Sequence, residues 1–419
     1  MRVSVVICTL NRAEGLRDTL DCLRHQRYGD FEVVVVNGPS TDNTATVLDE
    51  FAGSIRVEVC PDANLSMSRN IGIAAAAGEV VAFIDDDALP EFDWLNQALP
   101  AFDNPGVAGV GGIVFDHTGM ALQYSYSAAN RFAETSYRDT EPYDSFCAPG
   151  AFTFPYLQGT NALFRRSALL EVGGFDETFD YYLDETDLCC RLVDAGFLLR
   201  QLPNAPVHHK FLPSGIRDHQ RVITNWFPIV KNNTYFCYRH ALADFGETEV
   251  IERSHQFADR RVAEAWFNEN DGRLPAGTTE RAEADCRDAF ERGTMLGLHS
   301  HNVRMPALGS AERELLQYPT IDSHERHRVV MISGDYAPHI SGGIARIMSE
   351  LAPTLAQRGH EVRVITRGTG HSTVDLEHGV WVHRLVCPPL GLSGMAPTAL
   401  PHINEFITAA ALEIDRIGE

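Results

Sequence analysis

Hydrophobic residues in the first hundred positions fall into short β-branched runs separated by amphipathic stretches. VSVVICTL, beginning at Val3, is strand-like and stops at Asn11 and Arg12; in the GLRDTLDCLRHQ that follows, Leu16, Leu20 and Leu23 recur at helical spacing. A second run, FEVVVVN, leads through GPSTDNT into the helical TATVLDEFA, and a third, EVVAFI, ends in DDDALP before a helical stretch from Trp94 to Phe102. This alternation predicts an α/β fold with a largely parallel sheet and helices on both faces. Such sheets bind ligands at the carboxyl ends of their strands. Here those ends are Thr9 to Arg12, Asn37 to Asp42 and Asp85 to Asp87.

From about residue 246 the pattern changes to charged helical segments, VIERSHQFADRRVAEAWF and TERAEADCRDAFERGTMLGL, separated by NDGRLPAG. They predict a helical appendage or linker. At HRVVMIS a new strand starts, followed by GDYAPHISGG, the helical IARIMSELAPTLAQR, a stop at Gly359 and the strand EVRVIT. The expected organisation is therefore 1–245, a first α/β domain; 246–326, helices; and 327–419, an incomplete second Rossmann-like unit.

Charge narrows the partners. Acidic residues outnumber basic ones by 57 to 35, giving a formal net charge of −22, whereas nucleic-acid binding calls for clustered Lys and Arg. The nine cysteines contain no C-x-x-C and read as reduced thiols of a cytoplasmic protein. The longest apolar stretch, IGIAAAAGEVVAFI, is broken by Glu79 and runs into three aspartates, so no transmembrane segment is expected.

Three consecutive carboxylates, Asp85, Asp86 and Asp87, close an apolar strand, where their repulsion calls for a cation or strong donors. Strand alternation would turn Asp85 and Asp87 to one side and Asp86 to the other, so the outer two can share a divalent metal, Mn2+ or Mg2+, with a diphosphate. A second constellation, YYLDETDLCCRLVDAGF, puts Asp184, Glu185 and Asp187 in the first turn of a helix. Asp184 is the natural N-cap there, and a carboxylate at a pocket-facing helix start suits a general base.

In order along the chain stand SVVICTLNR, VVVVNGPSTDNT, NLSMSRNIGIAAAAGEVVAFIDDD, GTNALFRRSALLEVGGFDETF and DETDLCCRL. This ordered set resembles glycosyltransferase family 2 across most of residues 1–240. The resemblance implies the GT-A nucleotide-diphospho-sugar transferase fold, a nucleotide-sugar donor and a metal. It implies nucleotide binding by Thr9, Asn11, Arg12, Asn37 and Asp42, with Arg69 leading toward the diphosphate. Asp85 and Asp86 match the ribose and metal motif, with Asp85, Asp87 and His209 as metal ligands; His209 fits that alignment better than His208. Glu185 matches the family's catalytic base, with Asp184 as the runner-up. Two departures stand out: Asn37 replaces the family's Asp, and the acid pair reads Asp-Glu instead of Glu-Asp.

The run GDYAPHISGGIARIMSELAPTLAQRGHEVRVIT resembles the N-terminal domain of glycosyltransferase family 4, of GT-B type, whose nucleotide-sugar site lies mostly in a C-terminal domain. It reads as the stump of a bifunctional protein or a packing remnant. The function implied is inverting transfer of a sugar to the hydroxyl of a glycan or lipid-linked acceptor in cell-surface glycan assembly. Its expected place is the cytoplasm, with peripheral association at the inner face of the membrane left open. The alternatives are a non-catalytic nucleotide-sugar or glycan-binding scaffold subunit and a sugar nucleotidyltransferase.

Overall fold

The computed structural model describes residues 1–299, 313–321, 326–387 and 399–418. Strands β1 (Val3–Thr9), β2 (Phe31–Asn37), β3 (Arg56–Val59) and β4 (Val80–Phe83) pair in parallel in the order β3-β2-β1-β4. They are followed in the chain by β5 (Ala88–Pro90), β6 (Val107–Phe115), β7 (Leu122–Tyr124), β8 (Tyr126–Asn130), β9 (Thr135–Arg138), β10 (Thr153–Pro155), β11 (Ala162–Arg165) and β12 (Leu198–His209). Beyond β4 the sheet continues through β11, β6 and β12 to β5 at its edge. Here β12 is parallel to β6, while β11 and β5 run against their neighbours. Strands β8 to β10 form a separate small sheet.

Helices α1 (Ala13–Leu23), α2 (Thr44–Glu50) and α4 (Trp94–Ala98) follow the amphipathic stretches, with α3 (Leu65–Ala75), α5 (Arg166–Val172) and α6 (Asp184–Asp194) completing the crossovers. The unbroken valine run of β2 is explained by its two neighbours. Val33 and Val35 enter a core with Leu16, Leu20 and Trp94 on one face, and Val34 and Val36 enter a core with Ile73, Leu188 and Phe236 on the other.

Three expectations need correcting. β4 ends at Phe83, so Asp85 to Asp87 lie in a turn instead of on a strand, because the chain must reverse for β5 to pair antiparallel with β12. The helix expected to Phe102 stops at Ala98, and Leu99–Asp103 continues as a 3-10 turn, since Pro100 has no N–H to sustain the α pattern. α7 (Phe227–His240) puts Tyr235 and Phe236 into the first unit's core and carries α8 (Leu242–Asn270), kinked at Gly246, and α9 (Thr278–Leu298). Finally, 313–321 is no mere linker. Gln317 bridges to Glu32 beside β2, and Tyr318 is 1% exposed, its ring 5.7 Å from Phe31 and its hydroxyl donating to Leu20 O at 2.8 Å.

The second unit comprises β13 (Arg328–Ile332), α10 (Gly343–Gln357), β14 (Glu361–Gly368), β15 (Thr373–Glu377), β16 (Val380–Val386) and α11 (Ala399–Gly418). Its sheet runs β13-β14-β16-β15, with only β15 antiparallel, around Val362, Val364, Val380 and Val382. It meets the first unit where Trp381 packs with Leu89 and Phe92. Among the described residues no helix is long and apolar enough to cross a membrane.

Two stability predictions follow from this packing. Tyr318→Ala should lower the free energy of urea unfolding by about 3–5 kcal/mol through the cavity it leaves, whereas Tyr318→Phe should cost only about 1 kcal/mol for one lost hydrogen bond. The second concerns His25, which stacks on Phe92 at 5.0 Å beneath Gly379, where a Cβ would come within 2.5 Å of the imidazole. Burial, then the charges of Arg326 and Arg24, push the His25 pKa down to about 4 from 6.5. The folded state thus binds fewer protons than the unfolded state between these values, so this contribution is complete above pH 6.5 and is lost as the pH falls toward 4. Stability should fall by up to about 3 kcal/mol across that window, and His25→Gln should flatten the slope in urea titrations at a series of pH values.

Candidate functional site

The turn after β4 and the end of β12 meet because β5 pairs with β12, setting His209 opposite Ala88. One ligand atom from each of Asp85, Asp87 and His209 lies within 4.8 Å of the other two. His209 Nε2 is 3.7 Å from Asp85 Oδ2 and 3.2 Å from Asp87 Oδ1. The other ring nitrogen, Nδ1, lies 2.9 Å from Gln123 Oε1. With the Gln123 oxygen as acceptor, Nδ1 carries the proton and Nε2 presents its lone pair. That Nε2 is buried without a hydrogen-bond partner and faces two carboxylate oxygens. Three electron-pair donors converging in this way fit a divalent cation.

Arg12 and the 208–213 segment hold this turn. The guanidinium reaches Asp87 at 2.7 Å and Asp86 at 3.4 Å, and it donates to Pro213 O at 2.6 Å. Asp87 Oδ2 also accepts from the Leu212 N–H at 2.7 Å. Burial opposes ionisation of Asp87, yet the charge of Arg12 and the Leu212 N–H hold its carboxyl well below the usual range. Asp86, not one of the converging trio, is pushed up to about 7 by burial.

The loop residues assigned to the nucleotide lie close together, largely through bonds to one another. Asn11, at φ 56°, accepts through Oδ1 from the Thr41 N–H at 2.7 Å, and its own N–H donates to Ser40 Oγ at 3.0 Å. Asn37 Oδ1 accepts from Ser40 Oγ at 2.8 Å. Both Asp42 oxygens are committed, one to the first N–H of α1 at Ala13 and the other to Thr44. Thr9 is buried at the end of β1, beside Asp86.

At the start of α6 the structure overturns the capping assignment. Leu183, not Asp184, is the N-cap residue, at φ 66°, and no side chain caps the helix. Asp184 is 1% exposed and forms a buried ion pair with Arg69. Gly159 makes room for it, since a Cβ there would lie 2.3 Å from the Arg69 guanidinium. Phe83 and Phe175 face the same cation at 5.8 and 5.2 Å. Glu185 lies farther from Arg69, at 3.8 Å, and its side chain is 21% exposed. Burial and then the charge of Asp184 drive the Glu185 pKa well upward. Asp187, the third acid, is fully buried and bound to Arg191, Arg239 and His240, tying α6 to α7.

Residues 4–173 match the Glycosyl transferase family 2 model, and residues 342–417 match the Glycosyl transferase 4-like domain. A glucosyl-dolichyl phosphate glucuronosyltransferase of Haloferax volcanii is 32% identical over 228 residues, spanning 50% of this chain and 69% of that protein. The chain belongs to glycosyl transferase family 2. Its mostly parallel sheet flanked by helices is the GT-A arrangement that membership implies. A pre-mycofactocin glycosyltransferase of Mycobacterium tuberculosis is also 32% identical over 228 residues, covering 54% of this chain and 44% of that relative, so the family 2 chain spans less than half of its length. Among solved structures, a mannosyltransferase from Pyrobaculum calidifontis in complex with GDP-Man and Mn2+ aligns over 71% of this chain and 87% of its own at 16% identity, with a TM-score of 0.42.

Several residues that shape the site carry no sequence signal. Gln123 orients His209 from β7, a three-residue strand with no periodicity to read. Asn232 of α7 donates to Tyr181 O at 2.6 Å and Tyr182 O at 3.0 Å, supporting two successive left-handed residues, Tyr182 and Leu183, just before the acid pair. Tyr124 and Tyr182 both feel the Glu185 charge, and burial raises each to about 12.

Removing one partner of a buried pair strands the other. Arg69→Met should therefore destabilise the fold by about 3–5 kcal/mol, and adding Asp184→Asn should restore part of the loss. Additive losses in that double-mutant cycle, followed by urea unfolding, would show the pair to be energetically unimportant.

Proposed function

We propose that this chain is an inverting, metal-dependent glycosyltransferase moving a sugar from a nucleotide-sugar donor to an acceptor hydroxyl. The observation that carries this reading is the division of labour between Asp184 and Glu185. Arg69 neutralises the buried Asp184, while the partly exposed neighbour is left with a raised proton affinity. A carboxylate in that state suits a general base.

When the acceptor hydroxyl is deprotonated by Glu185, its oxygen attacks the anomeric carbon. The bond from that carbon to the diphosphate breaks on the opposite side, and the nucleoside diphosphate leaves. A single displacement inverts the configuration. Asp85, Asp87 and His209 would hold the divalent cation, which supplies charge neutralisation to the leaving diphosphate. The loops around Thr9, Asn11 and Asn37 would receive the nucleotide. The name of the Haloferax relative specifies a dolichyl phosphate-linked saccharide, which supports a lipid-linked glycan as acceptor. A cytoplasmic reaction at a membrane face, within cell-surface glycan assembly, accords with that acceptor.

Glu185→Gln preserves shape and should lower kcat by about 10²- to 10⁴-fold with donor affinity unchanged. Asp184→Asn should act mainly on stability, because its partner is Arg69 and not the solvent-facing pocket. Full turnover by the Glu185 variant would refute its role as base. Product analysis by NMR showing retained anomeric configuration would refute the single displacement. Absence of any turnover above a blank, with metal and a panel of nucleotide sugars, would favour the scaffold alternative.

A further inference from the structure

The second unit docks on the metal-bearing edge of the first. β12 alternates there: His209 faces Asp85 and Asp87, while its two neighbours are gripped from the other side. The His208 ring lies 4.5 Å from Trp381 of β16 and 4.8 Å from Phe115. Lys210 forms an ion pair with Asp375 of β15, and its backbone N–H donates to Asp87 O at 2.9 Å.

β5, which leads directly out of the aspartate turn, is held in the same way. Leu89 and Phe92 pack on Trp381 and Val374, and Glu91, just beyond the strand, contacts Arg363 of β14 at 2.7 Å and His208 at 3.2 Å. Arg363 is braced in turn by Glu361 at 3.1 Å. The Val374 N–H completes the contact by donating to Thr118 O at 2.7 Å, next to Gly119, where a Cβ would lie 2.5 Å from Val374 O. β5 is the last strand of its sheet, so beyond β12 and α1, whose Thr19 hydroxyl donates to Ala88 O at 3.0 Å, its support comes from these contacts.

We propose that the family 4-like unit serves as a clamp for the metal site of the family 2 unit, with Arg363, Asp375 and Trp381 as positioning residues for Asp87 and His209. This rests on the metal reading of Asp85, Asp87 and His209. The clamp fixes the separation of the turn and the end of β12, so loosening it weakens cation binding without removing a ligand. Outer partners of metal ligands typically change affinity by about 10- to 100-fold.

The test uses the full chain and Mn2+ alone, with free Mn2+ counted by EPR. Trp381→Leu and the double variant Arg363→Met/Asp375→Asn should each bind Mn2+ at least about tenfold more weakly, and Asp375→Glu should retain wild-type affinity. Val364→Ala, in the second unit's own core, should lower the melting temperature and leave Mn2+ affinity unchanged. Undiminished affinity in the interface variants beside a Mn2+-binding wild type overturns the clamp alone. Equal weakening in Val364→Ala also overturns it, by reducing the effect to general destabilisation. A wild type that binds no Mn2+ overturns the metal reading and the clamp with it.

Discussion

Repulsion among carboxylates gathered at the end of a parallel sheet is the constraint around which the rest of this molecule is arranged. Asp85 to Asp87 sit at one strand end and Asp184, Glu185 and Asp187 at the start of a helix, in a chain already carrying a net charge of −22. Coulomb repulsion between neighbouring acids rises steeply when water is removed. Each buried acid therefore has a cation brought to it from a distant part of the sequence, Arg12 for Asp86 and Asp87, Arg69 for Asp184, and Arg239 and His240 for Asp187, to which Arg191 adds from one turn along the same helix.

That compensation fixes the fold locally as well as the charge. Arg12 can reach Asp87 only because the chain reverses after Phe83, and the same reversal releases β5 to pair with β12 and bring in His209. Arg69 can reach Asp184 only past a residue without a side chain at Gly159. Electrostatics and backbone geometry are thus one problem here. Interaction with Arg12 and the Leu212 N–H keeps Asp87 ionised, whereas Asp86, farther from the Arg12 guanidinium, is pushed upward by burial.

The first unit was readable from its sequence because its strands are buried on both faces and so appear as uninterrupted valine runs, which Phe31–Asn37 illustrates. The aspartate run, the histidine pair closing β12 and the acid pair were readable because they are concentrated and polar. What periodicity cannot convey is which acid a distant arginine will select. Asp184 looked like a helix cap since short polar side chains usually serve there, but a buried guanidinium is a stronger partner for a carboxylate than a backbone N–H. Tyr318 was equally hidden, because a lone aromatic in a polar stretch shows no period, although it fills a pocket against Phe31.

The pairing also leaves a remainder, and the remainder is where chemistry can occur. Of the acids around the site, Asp86, Asp87, Asp184 and Asp187 have almost no exposed surface and are engaged by cations. Asp85 and Glu185 differ, with side chains 35% and 21% exposed. They belong to separate elements, yet both charges are felt by Arg69, which places the two within electrostatic reach of one guanidinium. With their neighbours engaged internally, these two are the most exposed carboxylates of the set facing an incoming ligand. Under the proposed reaction Asp85 would join Asp87 and His209 in holding the cation at the leaving diphosphate while Glu185 would take the acceptor's proton, so the transfer combines an acid already fixed by the fold with two left partly exposed.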